Sequence, residues 1–104
     1  MSGQTAYRAD IAAISNANPC VVTTTEANSY ATNQFIRLTD LNGVMPTPRG
    51  EDQLNNKKFR IIVIDTTNFS LQDPITFKNI DSTNYTPYVE AGYANLVQTE
   101  FIYN

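Results

Sequence analysis

The stretch KKFRIIVIDTTNFSL, residues 57–71, decides the fold, because it has the pattern of two β-strands joined by a tight turn. Phe59, Ile61 and Val63 recur with the period of two that places side chains on one face of a strand. The letters DTTN at 65–68 have turn chemistry, and the alternation resumes after them. This segment predicts a β-hairpin at the centre of the core.

The other face of the first strand changes character along its length. It is basic at Lys58 and Arg60 and becomes apolar at Ile62 and Ile64. A strand that is apolar on both faces is typical of one buried on both sides. We therefore expect a second surface to cover the two isoleucines.

Length and composition predict one domain of class all-β. The chain has 104 residues, of which 41% are hydrophobic and only 16% are charged, while 13 are threonine and 12 are asparagine. Threonine favours strands and asparagine favours turns. The sequence predicts a small antiparallel β-barrel or sandwich of about six to seven strands with one long loop. We assign 1–9 to an N-terminal arm, 10–98 to the barrel domain and 99–104 to a C-terminal strand extension.

The charges argue against nucleic acid as a partner. The formal net charge is −3, whereas non-specific binding to phosphate needs clustered lysine and arginine. Lys57, Lys58 and Arg60 form one basic cluster, and Glu51 and Asp52 precede it. The favoured interpretation is a rim that neutralises itself, and contact with a carboxylate of a neighbouring subunit is the alternative.

The sequence carries no mark of an oxidising compartment or a membrane. Cys20 is the single cysteine, so an intrachain disulfide is excluded. Apolar runs all fall short of the roughly 18 residues of a membrane span, and the N-terminus lacks the layout of a signal peptide. We expect a protein that is soluble, or that assembles, where it is made.

The first strand is ambiguous by pattern. Tyr7, Ile11 and Ile14 fit a helical stripe, but a strand at 10–15 is favoured because the turn residues at 16–19 would close it. A proline at position 19 also excludes a continuing helix.

The remaining elements follow from period-two alternation and from turn residues. We predict strands at 20–25, paired with the first as a hairpin, and at 34–40, a long loop at 41–56, a short strand at 75–77 and a loop at 81–87.

A final strand is predicted at 94–103, after Gly92 permits a sharp turn. Val97, Phe101 and Tyr103 share one face, and the opposite face is also apolar. Such a segment either closes a barrel or pairs with another subunit.

Several short motifs occur in a fixed order: ISNANP at 14–19, VVTTT at 21–25, YATNQ at 30–34, LNN at 54–56, DTTNFSL at 65–71, DSTNYTPY at 81–88 and Gly92. Over roughly residues 11–96 this series resembles a small β-barrel module frequent in structural proteins of tailed bacteriophages. Automated searches often label that module as similar to the first catalytic-cysteine half-domain of ubiquitin-activating enzyme. The resemblance implies a virion part, most often in the tail or at the head–tail junction, and no catalysis, since that half-domain is scaffold.

The chain departs from this family at three turns. Members commonly carry Ala-His-Gly and Thr-Gly-Asp where this chain has Ala-Asn-Ser at 27–29 and Thr-Asn-Gln at 32–34. They also tend to end in Gly-Gly, which is Ala-Gly at 91–92 here. These departures concern turn geometry more than the fold.

Catalytic and metal sites are poorly supported by the residue types. Histidine does not occur, which removes the commonest general base and most zinc sites. We expect Cys20 to be a buried structural thiol. Asp40, Asn42, Glu51 and Asp52 match no calcium-loop spacing, so a turn with solvated charges is favoured.

Tyrosines crowd the segment before the last strand. Tyr85 and Tyr88 are expected to form a lid packed on the core, and the alternative is that they and Tyr93 stack on sugar rings. The lid is the favoured interpretation.

We therefore expect a non-enzymatic virion protein of a tailed phage, assembled in the host cytoplasm into the tail or head–tail connector through β-strand and loop contacts. Its partners would be copies of itself, as a homo-oligomer, and neighbouring virion proteins, with no cofactor, metal, nucleic acid or membrane. The alternative is a capsid decoration or a receptor- or glycan-binding module that uses the tyrosine-rich loop. The candidate interface residues are Tyr7, Arg49, Glu51, Asp52, Lys57, Lys58, Tyr85, Tyr88, Phe101 and Tyr103.

Overall fold

The computed structural model of this protein describes residues 8–43 and 54–97. In these residues the chain forms eight strands: β1 (Arg8–Ile14), β2 (Val21–Thr24), β3 (Phe35–Thr39), β4 (Asn42–Gly43), β5 (Lys57–Val63), β6 (Asn68–Gln72), β7 (Tyr88–Glu90) and β8 (Tyr93–Leu96). Six of them close an antiparallel barrel in the order β1-β2-β6-β5-β3-β8, and β4 pairs with β7 beside it. The predicted all-β fold is confirmed, and it is a barrel.

The hairpin of β5 and β6 forms where the sequence predicts it. Val63 pairs with Phe69, and Ile61 and Phe69 are buried in the barrel. At the turn one carboxylate oxygen of Asp65 accepts the backbone N–H of Thr67 at 3.0 Å and that of Asn68 at 2.9 Å. The apolar alternation and the Asp-led turn therefore fix the same register.

The segment that was ambiguous between helix and strand is a strand. β1 pairs with β2 as the predicted hairpin, with Ile14 opposite Val22, and a register shift separates Ile11 from Ala13. β1 begins at Arg8, two residues before the predicted start of the barrel domain. As a strand, this segment pairs with β2 and β8 and buries Ile11 and Ile14 in the barrel. As a helix it would have no such neighbours for its apolar side chains.

The core is one cluster inside the barrel. It is made almost entirely of aliphatic and aromatic side chains from the six barrel strands and from the segments between them. Its members are Ile11, Ile14, Cys20, Val22, Tyr30, Ile36, Leu38, Leu41, Leu54, Phe59, Ile61, Phe69, Leu71 and Ala94.

Tyr30 carries a hydroxyl group into the core cluster, and its side chain enters the barrel from the connection between β2 and β3. Its ring meets that of Phe69 edge-on, with centroids 5.8 Å apart and planes at 70°. Its hydroxyl donates to the carbonyl of Ala94 at 2.8 Å, and burial raises the pKa of Tyr30 to about 12. A single side chain thereby ties the loop to β8, on the far side of the barrel.

The short strand predicted at 75–77 is wrong, because this segment is a turn. The carboxylate of Asp73 accepts the backbone N–H groups of Ile75 at 2.8 Å and Thr76 at 2.9 Å. The N–H of Phe77 closes the turn on the carbonyl of Asp73 at 3.0 Å. An Asx turn at Asp73 therefore overrides the β-propensity of Ile, Thr and Phe.

The last strand closes the barrel. β8 pairs with β3 on one side and with β1 on the other, as one of the two predicted alternatives required. Of the predicted final strand, the part after Val97 lies outside the described residues, as do Phe101 and Tyr103. Most of the predicted long loop at 41–56 also lies outside them; its first residues include β4.

One expectation about the central hairpin is not met within the chain. Ile62 is partly buried, beside Ser70 on the outer face, but Ile64 is 57% exposed. No second layer covers it among the described residues, because the sheet closes on itself and turns its outer face to solvent.

Three turns share one device, an aspartate that caps the backbone after it. Bonds from the backbone of Thr67 and the side chain of Asn68 lower the pKa of Asp65, and the backbone of Thr76, then of Ile75, lowers the pKa of Asp73. In the third turn, the side chain of Thr83 and then its backbone lower the pKa of Asp81. These groups favour the folded state only while they are ionised.

Replacing Tyr30 with phenylalanine should lower the free energy of unfolding by about 1–2 kcal/mol, because the carbonyl of Ala94 loses a buried donor. Denaturant titration measures this difference. Tyr93→Phe, which removes a hydroxyl from a partly exposed ring, is the matched control and should change stability by less than about 0.5 kcal/mol. Equal effects of the two substitutions would contradict the role given to the buried hydroxyl.

Stability should fall on acidification below about pH 4, the ordinary range of aspartate. A carboxyl whose pKa is lowered by folding stabilises the fold above its unfolded value, and this contribution disappears as pH falls through the folded value. Thermal unfolding at a series of pH values measures the slope. The double variant Asp65→Asn with Asp81→Asn should show a shallower slope, and an unchanged slope would contradict the assignment.

Candidate interaction surface

Neither a cluster of metal ligands nor an accessible cysteine occurs among the described residues. They hold no group of three or more His, Cys, Asp or Glu residues that could bind a metal ion. Cys20 is 0% exposed, and burial raises the pKa of its thiol, against a smaller opposing effect of a hydrogen bond with Ser82. Cys20 is thus a buried, protonated thiol, as predicted.

The polar motifs at 14–19 and 81–88 are structural, since they hold each other. The buried hydroxyl of Ser82 donates to the carbonyl of Ser15 at 2.6 Å and accepts the N–H of Ala17 at 3.1 Å. The side-chain amide of Asn16 donates to the carbonyls of Ser82 and Tyr85 at 3.2 and 3.1 Å. These bonds close one end of the barrel with two loops that are distant in sequence.

The tyrosine-rich segment packs on the core, as its favoured interpretation requires. Tyr85 and Tyr88 are partly buried against the core cluster, and this burial raises the pKa of both. The hydroxyl of Tyr88 lies 2.8 Å from the carbonyl of Ala91 and 3.1 Å from that of Ile11. The rings therefore fasten β7 to the barrel and do not form an open stacking platform.

The barrel wall carries a row of cations on its outside. Cross-strand pairing places Arg8 opposite Asn95, Asn95 opposite Arg37, and Arg37 opposite Lys58, on four neighbouring strands. Residues that pair directly share one face of a sheet, and three strand spacings span about 14 Å. Arg60 lies one row further along β5. We call Arg8, Arg37, Lys58 and Arg60 the cationic face.

Aromatic rings support three members of the cationic face. The guanidinium carbon of Arg8 lies 4.2 Å from the ring centroid of Tyr93, and the ammonium of Lys58 lies 5.4 Å from that of Phe35. The guanidinium carbon of Arg60 lies 4.1 Å from the ring centroid of Phe77.

The hydrogen bonds of this face also go to neutral groups. Arg37 donates to the carbonyl of Asn56 at 2.8 Å, and Arg60 donates to the side chains of Gln72, at 2.7 Å, and Asn33. These contacts hold the side chains in place, and among the described residues none of them is with a carboxylate.

Charge is segregated between strands and loops. Of the described lysines and arginines, only Lys78 lies outside the six barrel strands, whereas of the described acidic residues only Asp10 lies within them. The other acidic residues, on loops and on β7, are Glu26, Asp40, Asp65, Asp73, Asp81 and Glu90. An acidic protein therefore has a basic wall between acidic loops.

The turn after β6, which we call loop 73–78, presents apolar side chains to solvent. Ile75 is 85% exposed and Phe77 is 50% exposed. Phe77 has φ 63°, in the left-handed region, which costs a residue with a side chain roughly 1–2 kcal/mol. The chain therefore holds a half-exposed ring on Arg60 at an energetic cost.

A cleft of about 400 Å³ lies beside β1 and β8, and we call it the acidic cleft. Asp10 and Asp40 supply its charge, whereas its apolar lining comes from Ile11, Ala91 and Tyr93, with Thr25 and Gly92 completing it. The two carboxylates are opposite in charge to the cationic face, whose Arg8 stacks on Tyr93 at the edge of this cleft.

The turn that lines this cleft needs left-handed backbone. Ala91 has φ 69° and Gly92 has φ 104°. A Cβ at Gly92 would lie 2.6 Å from Cδ2 of Leu41 and 3.2 Å from the carbonyl oxygen of Thr39. Glycine is required at position 92, as expected from the sequence, whereas Ala91 adopts a conformation that glycine would prefer.

The predicted interface residues fall into separate places. Lys57 and Lys58 lie on β5, of which Lys58 belongs to the cationic face, while Tyr85 and Tyr88 pack on the core. The remaining candidates lie outside the described residues: Tyr7, Arg49, Glu51, Asp52, Phe101 and Tyr103. Of the four residues weighed as calcium ligands, Glu51 and Asp52 therefore also lie outside the described residues.

Sequence reasoning missed Arg8, Arg37 and loop 73–78 as parts of a surface. The alternation in 34–40 already put Arg37 on a solvated face. Only the register of β3 against β5 and β8 puts it beside Lys58 and Asn95.

Comparison with models of known protein families finds no match to this chain, and comparison with curated proteins finds no similar sequence. Within the described ranges, no helix is long and apolar enough to span a membrane.

Two neighbouring substitutions should have opposite effects on stability. Ala91→Gly should raise the free energy of unfolding by about 1 kcal/mol, because it relieves a left-handed alanine. Gly92→Ala should lower it by roughly 1–3 kcal/mol, because a Cβ adds strain and meets Leu41. Chemical denaturation of both variants tests the pair, and a loss of stability in Ala91→Gly would contradict the turn geometry.

Proposed function

We propose that this protein is a non-enzymatic structural component of a tailed-phage virion, in the tail or head–tail region, that assembles through the outer wall of its barrel. The observation that carries the proposal is the cationic face. Among the described residues, the partners seen for Arg8, Arg37, Lys58 and Arg60 are neutral groups, on a chain whose net charge is −3. A cluster of positive charge held in place on an acidic chain is the kind of surface that recognises a complementary protein surface.

The closed barrel favours assembly through side chains. All six barrel strands have a neighbour on each side, so the barrel offers no edge to an incoming strand. In the part of the chain that the structure describes, β4 and β7 pair only with each other, so strand addition would occur at the outer edges of this ribbon. Contacts between virion proteins would accordingly use the cationic face and exposed loops.

The phage assignment rests on the sequence resemblance, and two details of backbone and contacts support it. Asn33 has φ 80° and Ala91 has φ 69°, at two of the three positions where the family commonly has glycine and this chain has another residue; Ser29, the third, does not have positive φ. The motifs ISNANP and DSTNYTPY contact each other across the end of the barrel. Residues that lock a fold are the ones expected to recur within a family of barrels.

The absence of catalysis is part of the proposal. Cys20, the most nucleophilic residue type in the chain, is buried and protonated. A reactive cysteine would need access and an electropositive setting.

The alternative of a capsid decoration or glycan-binding module has less support. Its sugar-stacking residues would be Tyr85 and Tyr88, which are partly buried and serve to hold β7. Loss of carbohydrate binding in Tyr85→Ala and Tyr88→Ala variants with intact assembly would favour this alternative.

Neutralising the cationic face should weaken assembly. The double variant Arg37→Gln with Lys58→Gln should lose co-sedimentation with assembled particles, or the high-mass species seen by light scattering, and remain folded. Raised salt should weaken wild-type association as well, because charge attraction is screened. A wild-type chain that stays strictly monomeric and does not bind particles would contradict the proposal.

The matched control is Thr66→Glu with Asn84→Glu, which changes the net charge by the same amount at exposed turn positions. This control should associate like the wild type. Equal loss in both variants would show an effect of net charge alone and would contradict a role for the cationic face.

A further inference from the structure

Loop 73–78 holds two apolar side chains, Ile75 and Phe77, in contact with solvent on a hydrogen-bonded turn. Its backbone is fixed by the carboxylate of Asp73, and the N–H of Asp73 donates to the carbonyl of Lys78 at 2.8 Å. It carries Ile75, which is 85% exposed, and Phe77, whose ring lies on Arg60. An aromatic ring stacked with an arginine, beside an exposed aliphatic side chain, is the composition of an interface hot spot.

The acidic cleft has the complementary character. Ile11, Ala91 and Tyr93 give it an apolar lining, and Asp10 and Asp40 give it negative charge. The loop also contributes Lys78, whose charge is opposite to that of Asp10 and Asp40 in the cleft. Asp73 is the opposing charge on the loop, and its carboxylate is occupied by the backbone N–H groups of Ile75 and Thr76.

Loop 73–78 and the acidic cleft lie on opposite sides of the barrel. The loop follows β6 and rests on β5, while the cleft is lined by residues of β1 and β8, by the turn before β8, and by Thr25 and Asp40 just after the ends of β2 and β3. In the strand order, β2 separates these two pairs on one side and β3 separates them on the other. One chain therefore cannot dock its own loop into its own cleft.

We propose that loop 73–78 of one copy docks into the acidic cleft of the next copy, in a head-to-tail contact. This inference rests on the proposed function as an assembling protein and names its partner as a second copy. Because the two surfaces are different and opposed, the contact is heterologous and produces rings or filaments, not twofold dimers.

A complementation experiment tests the contact. The loop variant, Ile75→Thr with Phe77→Asn, removes the anchor and retains a residue that accepts left-handed backbone. The cleft variant, Asp10→Asn with Thr25→Arg, fills the cleft and removes one charge. Sedimentation velocity over micromolar to millimolar concentrations should show wild-type species larger than dimers and both variants as monomers.

An equimolar mixture of the two variants is the decisive sample. Each variant retains one intact surface, so the mixture should form 1:1 dimers and nothing larger. Relative to wild type, self-association of each variant should weaken by roughly 30-fold or more, as expected when an anchor is truncated. A mixture that stays monomeric while the wild type assembles would overturn the inference, and so would a variant that assembles alone.

Stability and particle binding separate this inference from its alternatives. The loop variant should unfold at or above the wild-type temperature, since asparagine relieves the strain at position 77, so its lost association would not reflect misfolding. A loop variant that self-associates like the wild type while the chain still binds virion particles through the cationic face would overturn the head-to-tail contact and leave the proposed function intact.

Discussion

Closure of the barrel is the constraint on which the rest of the structure depends. β8 pairs with both β3 and β1, so a six-stranded sheet has no free edge. Among the described residues, closure fixes an inside that is mainly apolar, with Tyr30 and Thr24 as buried side chains that carry a hydroxyl, and an outside where polar residues from neighbouring strands stand in rows. Because every barrel strand is paired on both sides, recognition is left to side chains on the wall and to the loops.

The ends of the barrel are held by small polar residues. Ser82 and Asn16 join two loops at one end, and the hydroxyl of Tyr30 ties the connection after β2 to β8. These bonds satisfy backbone groups that the ladders leave unpaired, which a core of this size cannot leave buried without cost. The threonine- and asparagine-rich composition thus serves the architecture: such side chains end strands and fasten loops without adding charge.

The outer surface of the barrel and its loops carry charges of different sign. Among the described residues most cations stand on the barrel strands, most carboxylates stand on loops, and Phe77 is held at a strained φ of 63° over Arg60. Acid–base pairs would neutralise this pattern, whereas the contacts seen between described residues are with aromatic rings, amides and a backbone carbonyl.

The sequence by itself determined the all-β class, the central hairpin, the strand at 34–40 and the burial of Cys20, because each depends on local alternation or turn chemistry. It failed at 75–77, where one hydrogen-bonding aspartate outweighed three residues of high strand propensity. Only the tertiary structure decided which cations stand together: Arg8, Arg37 and Lys58 are far apart in sequence, and the register of neighbouring strands in a closed sheet brings them into one row. Local alternation determines which side chains of a strand point inwards and which point outwards. Which outward side chains become neighbours depends on strand pairing, and strand pairing is set by the packing of the whole barrel and not by adjacency in the chain.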